Sequence, residues 1–103
     1  MATTSKLAQE YEEFCLKDLE ECKRLGYYPS YFLRMLNEYG AVEATRRLVT
    51  SENIPEGFSR LWEMNRLDLT LEAGIHDNPR FHPLFDAGTL AACDARLAGV
   101  GYI

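Results

Sequence analysis

The stretch Gly57-Phe58-Ser59-Arg60-Leu61-Trp62-Glu63-Met64-Asn65-Arg66-Leu67-Asp68-Leu69-Thr70-Leu71-Glu72 holds the only tryptophan of the chain and changes its apolar period partway along. Phe58, Leu61, Trp62 and Asn65 follow helical steps, whereas Leu67, Leu69 and Leu71 alternate with Asp68 and Thr70. A helix over roughly Glu56–Asn65 therefore ends near Met64–Arg66, and a new element starts at Asp68. Alternation alone permits an edge strand. No second strand-like run exists to pair with it, and a lone strand leaves its backbone groups without partners. The preferred reading is a helix from Leu69 to His76 with Asp68 as its cap. On that reading Trp62 and the three leucines belong to the core, and the fold is all-α.

Working outward, Lys6–Leu25 is the clearest helix. Leu7, Tyr11, Phe14, Cys15, Leu19, Cys22 and Leu25 recur at three- and four-residue steps. Ala8 and Leu16 widen that stripe, and Asp18 breaks a strict heptad, so the helix is expected to pack on the body of the domain, with dimerisation as the alternative. Glu13–Lys17 and Glu20–Arg24 have the favourable acid-before-base order, and Gly26 is a natural stop. Ser30 is the expected cap of a helix over Tyr31–Glu38 that Gly40 ends. Ala41–Thr50 is a further short helix, with Val42, Leu48 and Val49 inward. Ser51–Gly57 reads as a loop. Downstream, Pro79–Phe85 is a proline-punctuated connection with two inward phenylalanines. Asp86 is the expected cap of the last helix, Ala87–Ala98, and the apolar tail Val100–Ile103 is expected to dock on its own core or on a partner.

At 103 residues the chain is read as one helical domain over 1–103, with residues 1–5 loose. The composition, 47% hydrophobic and 26% charged, is that of an ordinary globular protein, and the formal charge of −5 offers no general attraction to phosphate backbones or anionic lipid. The first twenty residues lack a continuous apolar run, so neither a signal peptide nor a membrane partner is expected. Cys15 and Cys22, seven residues apart on one helix, stand ~10 Å apart, beyond the ~7 Å that a disulfide tolerates. Reduced thiols and a cytoplasmic location follow as expectations.

Asp68, Glu72 and His76 share a face if they stand on one helix, which raises a divalent metal or acid–base site. Capping, dipole compensation and a surface imidazole explain the same residues, so no metal and no cofactor is assigned. His82, between Phe81 and Pro83, reads as structural. Cysteine catalysis needs a thiol near a histidine, and all three cysteines fall on apolar stripes. No phosphate loop, nucleophile elbow or zincin motif is present, so no enzyme is expected.

Six tyrosines are many for this length. Tyr27, Tyr28 and Tyr31, with Arg34, form a candidate recognition surface, against the plainer reading that they seal the corner between the first two helices. Arg34, Arg46, Arg47, Arg60 and Arg66 are the candidate nucleic-acid surface, but the same segment carries five glutamates.

The order Tyr28-Pro29-x-x-Phe32-x-x-Met35-Leu36, Gly40-Ala41-Val42-Glu43, Gly57-Phe58-x-x-Leu61-Trp62, Arg66–Glu72, Phe81-x-x-Leu84-Phe85 and Arg96-Leu97 to Gly101-Tyr102 resembles a small bacterial all-helical domain. That domain is largely uncharacterised; it occurs alone and attached to larger proteins, some nuclease- or defence-associated. The resemblance covers Tyr27–Tyr102 and brings no catalytic residues. Gly88 and Thr89 stand where the family pattern leads one to expect acidic residues. It implies an accessory or recognition module.

The expectation is an all-α single domain of five to six helices with one long N-terminal helix. The expected core is Leu7, Tyr11, Phe14, Leu19, Phe32, Leu36, Leu48, Phe58, Leu61, Trp62, Leu69, Leu71, Phe85, Leu90 and Leu97. The expected function is a non-catalytic interaction or accessory module of the bacterial cytoplasm, whose partner is another protein or a second copy. Nucleic-acid association and a metal-dependent activity are the alternatives.

Overall fold

A computed structural model describes the backbone of residues 2–103 and the side chains of residues 6–103. The expected loose end at Met1–Ser5 falls outside the fully described residues. Six α-helices follow one another: α1 (Ala2–Arg24), α2 (Ser30–Tyr39), α3 (Ala41–Val49), α4 (Glu56–Glu63), α5 (Leu71–His76) and α6 (Ala87–Gly99). Two 3₁₀ turns, Leu67–Leu69 and Pro79–Leu84, lead into α5 and α6. No strand occurs among the described residues. The radius of gyration is 12.8 Å, the value expected of about 100 residues folded around one core.

The inner face of α1 is Tyr11, Cys15, Leu19 and Cys22, all buried. Tyr11 is the hub. Its ring meets Phe81 and Phe85 edge-on at 5.1 and 5.4 Å, and its hydroxyl lies 2.9 Å from the Oγ1 of buried Thr45. That bond ties α1 to α3 and removes the cost of a buried hydroxyl. Phe58, Ala73 and Leu97 form a second cluster joining α4, α5 and α6, onto which Val100 and Tyr102 fold back. The tail therefore docks on its own chain, with the Tyr102 hydroxyl donating to Asp77 at 2.5 Å.

Three helix ends share one device. After α1, the Gly26 amide bonds the Lys23 carbonyl and the Tyr27 amide bonds the Cys22 carbonyl. Gly26, at φ +89°, makes the left-handed turn. The same pair of bonds ends α4 around Asn65 (φ +60°) and α6 around Gly101. The break of period near Met64–Arg66 is thus a left-handed asparagine stop.

The restart differs from expectation. Asp68 does not cap a helix; its carboxylate takes both arms of Arg66 at 3.0 Å. Thr70 is the cap. Its Oγ1 accepts the Ala73 amide at 3.1 Å and donates to the Leu67 carbonyl at 2.7 Å. The alternating leucines arise because a 3₁₀ turn and a capped helix succeed one another within five residues. Ser30 likewise stands inside α2, with Pro29 at the cap position. Asp86 does cap α6, accepting the Thr89 amide at 2.7 Å, and Gly88 and Thr89 leave that start intact.

Three further expectations fail locally. Trp62 is 55% exposed. With only eight residues, α4 buries Phe58 and Leu61 and turns the next position outward. Leu16 is exposed, so the stripe of α1 is narrower than its sequence suggests. The surface ion pairs of α1 form at i,i+3, Glu20–Lys23 and Glu21–Arg24, because Glu21 also receives Arg66 and draws Arg24 with it.

Candidate functional site

The Gly26 stop swings Tyr27 back over Cys22, and the chain then crosses from α1 to α2 through Tyr28, Pro29 and Ser30. This corner faces the short helix α4 across a groove of about 280 Å³. Tyr27, Tyr28 and Tyr31 line one side and Phe58 and Leu61 the other. Tyr28 and Tyr31 are 66% and 55% exposed, while Phe58 and Leu61 are buried. Tyr28 and Tyr31 therefore stand at the mouth of an opening with an apolar floor, while Tyr27 is partly buried against Gly57. Gly57 lets the walls approach, since a Cβ there would lie 2.9 Å from the Tyr27 hydroxyl.

One charged group lines this groove from the inner stripe of α1. Asp18 is half-buried beside Cys22 and Leu19. Burial raises its pKa to about 6, helped by the neighbouring Asp68 and opposed by Arg66. No hydrogen bond or ion pair satisfies it among the described residues. Its position was legible, being four residues before Cys22 and four after Phe14, but heptad reasoning treated it only as an interruption.

The candidate arginines divide by partner. Arg46 and Arg47 share Glu43, at 2.6 and 2.9 Å, and Arg47 also lies over Tyr39 at 4.0 Å. Arg66 is held by Asp68 at 3.0 Å and Glu21 at 3.3 Å. These carboxylates absorb the charge: Arg46 and Arg47 hold Glu43 down to about 2, and Arg24, followed by Arg66, does the same to Glu21. Arg34 and Arg60 instead lie over Tyr31 and Tyr27, two of the groove's tyrosines, at 5.3 and 5.9 Å from the ring centroids.

Asp68, Glu72 and His76 do not converge, because the 3₁₀ turn separates Asp68 from the helix bearing the other two. Asp68 holds Arg66, Glu72 pairs with Arg96 at 2.9 Å, and His76 Nδ1 lies 3.1 Å from Asp94. Among the described residues no three His, Cys, Asp or Glu side chains are arranged to hold a metal ion. His82 is structural, its Nε2 lying 2.9 Å from the Ile75 carbonyl oxygen. Cys15, Cys22 and Cys93 are free and buried. Desolvation pushes Cys15 and Cys93 up to about 12 and Cys22 to about 11, so the thiolate needed for nucleophilic attack is scarce at neutral pH.

One arrangement lay beyond sequence reasoning. Glu72 is not a surface dipole complement but 4% exposed. Arg96 reaches it from α6 and also donates to the Leu48 carbonyl at 2.8 Å and the Ser51 carbonyl at 2.6 Å. It thereby clasps the end of α3 to α5. No described helix is long and apolar enough to cross a membrane. No family model, no curated protein and no solved structure matches this chain.

Proposed function

We propose that this chain is a protein-interaction or accessory module whose working surface is the groove between the α1–α2 corner and α4. The observation that carries this reading is the apolar floor standing open behind exposed Tyr28 and Tyr31. A concave apolar site rimmed by tyrosine suits a short segment of another protein, since tyrosine contributes contact area and a hydrogen-bonding tip at low entropic cost. At about 280 Å³ the groove lies near the small end of ligand pockets, which span ~300–1,000 Å³. It has room for one or two side chains of a partner. The resemblance to a small bacterial helical domain supports the same role, and the free, buried cysteines suit a reducing cytoplasmic setting.

Nucleic-acid association has narrower support. Arg34 and Arg60, each over a tyrosine, suit base stacking, but Arg46, Arg47 and Arg66 are spent on carboxylates. Capture from a bacterial lysate with tagged protein separates the readings. A partner retained by R46S/R47S and lost by Y28S/Y31S supports the groove. A partner that survives Y28S/Y31S refutes it, and nuclease-sensitive capture favours the nucleic-acid reading.

A further inference from the structure

Asp18 gives the groove a chemical preference. An ionised carboxylate in partly apolar surroundings is costly unless a cation or several donors meet it. Here no described protein group meets it, and its oxygens are left to water at the groove. Its nearest charged neighbours are Asp68, Arg66 and Glu21, and Arg66 is already shared between the two carboxylates. Glu56 on α4 adds a further negative charge to the lining, and Glu72 lines it too but is already paired with Arg96. The ring of Tyr28 reinforces the preference, because an aromatic face attracts cations, whereas Tyr27 and Tyr31 already carry Arg60 and Arg34. A lysine or arginine side chain matches the lining as well, with an apolar stem for Phe58 and Leu61 and a charged end for Asp18. The opposing charges are those of Arg34 and Arg60.

We infer that the segment this groove accepts is an apolar stretch of another protein carrying one basic side chain, whose charged end meets Asp18; the inference rests on the groove being the interaction surface. A phosphate-bearing ligand would instead face Asp18 and Glu56 from the same opening.

Three capped tripeptides test this by chemical-shift mapping on isotope-labelled full-length protein: acetyl-Leu-Lys-Phe-amide, the same peptide with norleucine for lysine, and the same with glutamate. The expected result is shifts around Tyr27, Phe58 and Leu61, with the lysine peptide about tenfold tighter than the norleucine peptide, the size of one charge-assisted contact. Asp18→Asn should erase that preference, so that the lysine and norleucine peptides bind equally. On the unaltered protein the Asp18 carboxyl should titrate lower with the lysine peptide bound, a readout independent of how the variant folds. Equal binding of lysine and norleucine peptides overturns the charge preference and leaves the groove standing. Preference for the glutamate peptide overturns it too, pointing to Arg34 and Arg60. Absence of shifts at the groove with all three overturns the groove itself.

Discussion

Glu72 and Asp18 are two inward carboxylates in one small domain, and the protein treats them oppositely. Glu72 is sealed. Arg96 meets it at 2.9 Å and spends its remaining donors on two carbonyls of the α3 end. Asp18 is left without a partner beside an apolar groove, its proton held up to about 6. A buried charge that is fully paired locks neighbouring elements together. A half-buried charge that nothing pairs raises the free energy of the folded state, a cost that can be recovered when a ligand arrives. The Glu72–Arg96 clasp is therefore the sealed, stabilising side of this contrast and Asp18 its open side, with both carboxylates lining the same groove.

The largest expected effect comes from breaking the sealed side. Glu72→Ala strands the Arg96 guanidinium in the interior and should cost about 3–5 kcal/mol in urea unfolding. A loss under 1 kcal/mol would place the pair in effective contact with water. Removing both partners as Glu72→Leu/Arg96→Met should cost less than either single change, because no unpaired charge remains.

On the open side the sign reverses. Asp18→Asn should stabilise the protein at pH 7 by about 1–2 kcal/mol once solvent screening of a half-buried group is allowed for. The folded-state pKa is raised, so the folded state binds the proton more tightly than the unfolded chain. Wild-type stability then falls, relative to the variant, as pH rises from about 4 to about 6, and the gap stays constant above that. Below pH 4 the two proteins should converge. Glu21 and Glu43, whose pKa values are depressed, lose their contribution as pH falls toward 2, but they do so in both proteins and drop out of the difference. Unfolding curves at a series of pH values read this directly, and a destabilised Asn variant at pH 7 would contradict it.

The smallest effect is expected at Trp62. Its exposure predicts that Trp62→Ala changes stability by no more than about 0.5 kcal/mol. A loss of several kcal/mol in thermal unfolding would restore it to the core.

Much of the fold was legible in the sequence because its signals are local. Gly26 and Gly40 mark helix ends, Asp86 caps α6, and Tyr11, Phe58, Leu61 and Leu97 lie on helical stripes that the structure buries. What was not legible depends on distance or on helix length. The burial of Glu72 depends on Arg96, 24 residues further on. Trp62 reads as core only if α4 is longer than two turns. Asp68 and Thr70 are both good caps two positions apart, and the competing Arg66 side chain decides between them. Of the candidate binding residues, Tyr27, Tyr28 and Tyr31 come together at the groove and Arg34 and Arg60 lie over two of those rings, while Arg46, Arg47 and Arg66 are drawn away by Glu43, Asp68 and Glu21. Those distributions depend on which carboxylate each arginine reaches, which spacing along the chain does not encode.

The most direct measurement is the titration of the Asp18 carboxyl, followed by carbon-detected NMR in the free protein. An unpartnered carboxylate beside an apolar groove predicts a midpoint near pH 6. A midpoint near 4, the ordinary value for an aspartate exposed to water, would contradict the contrast between the sealed and the open side.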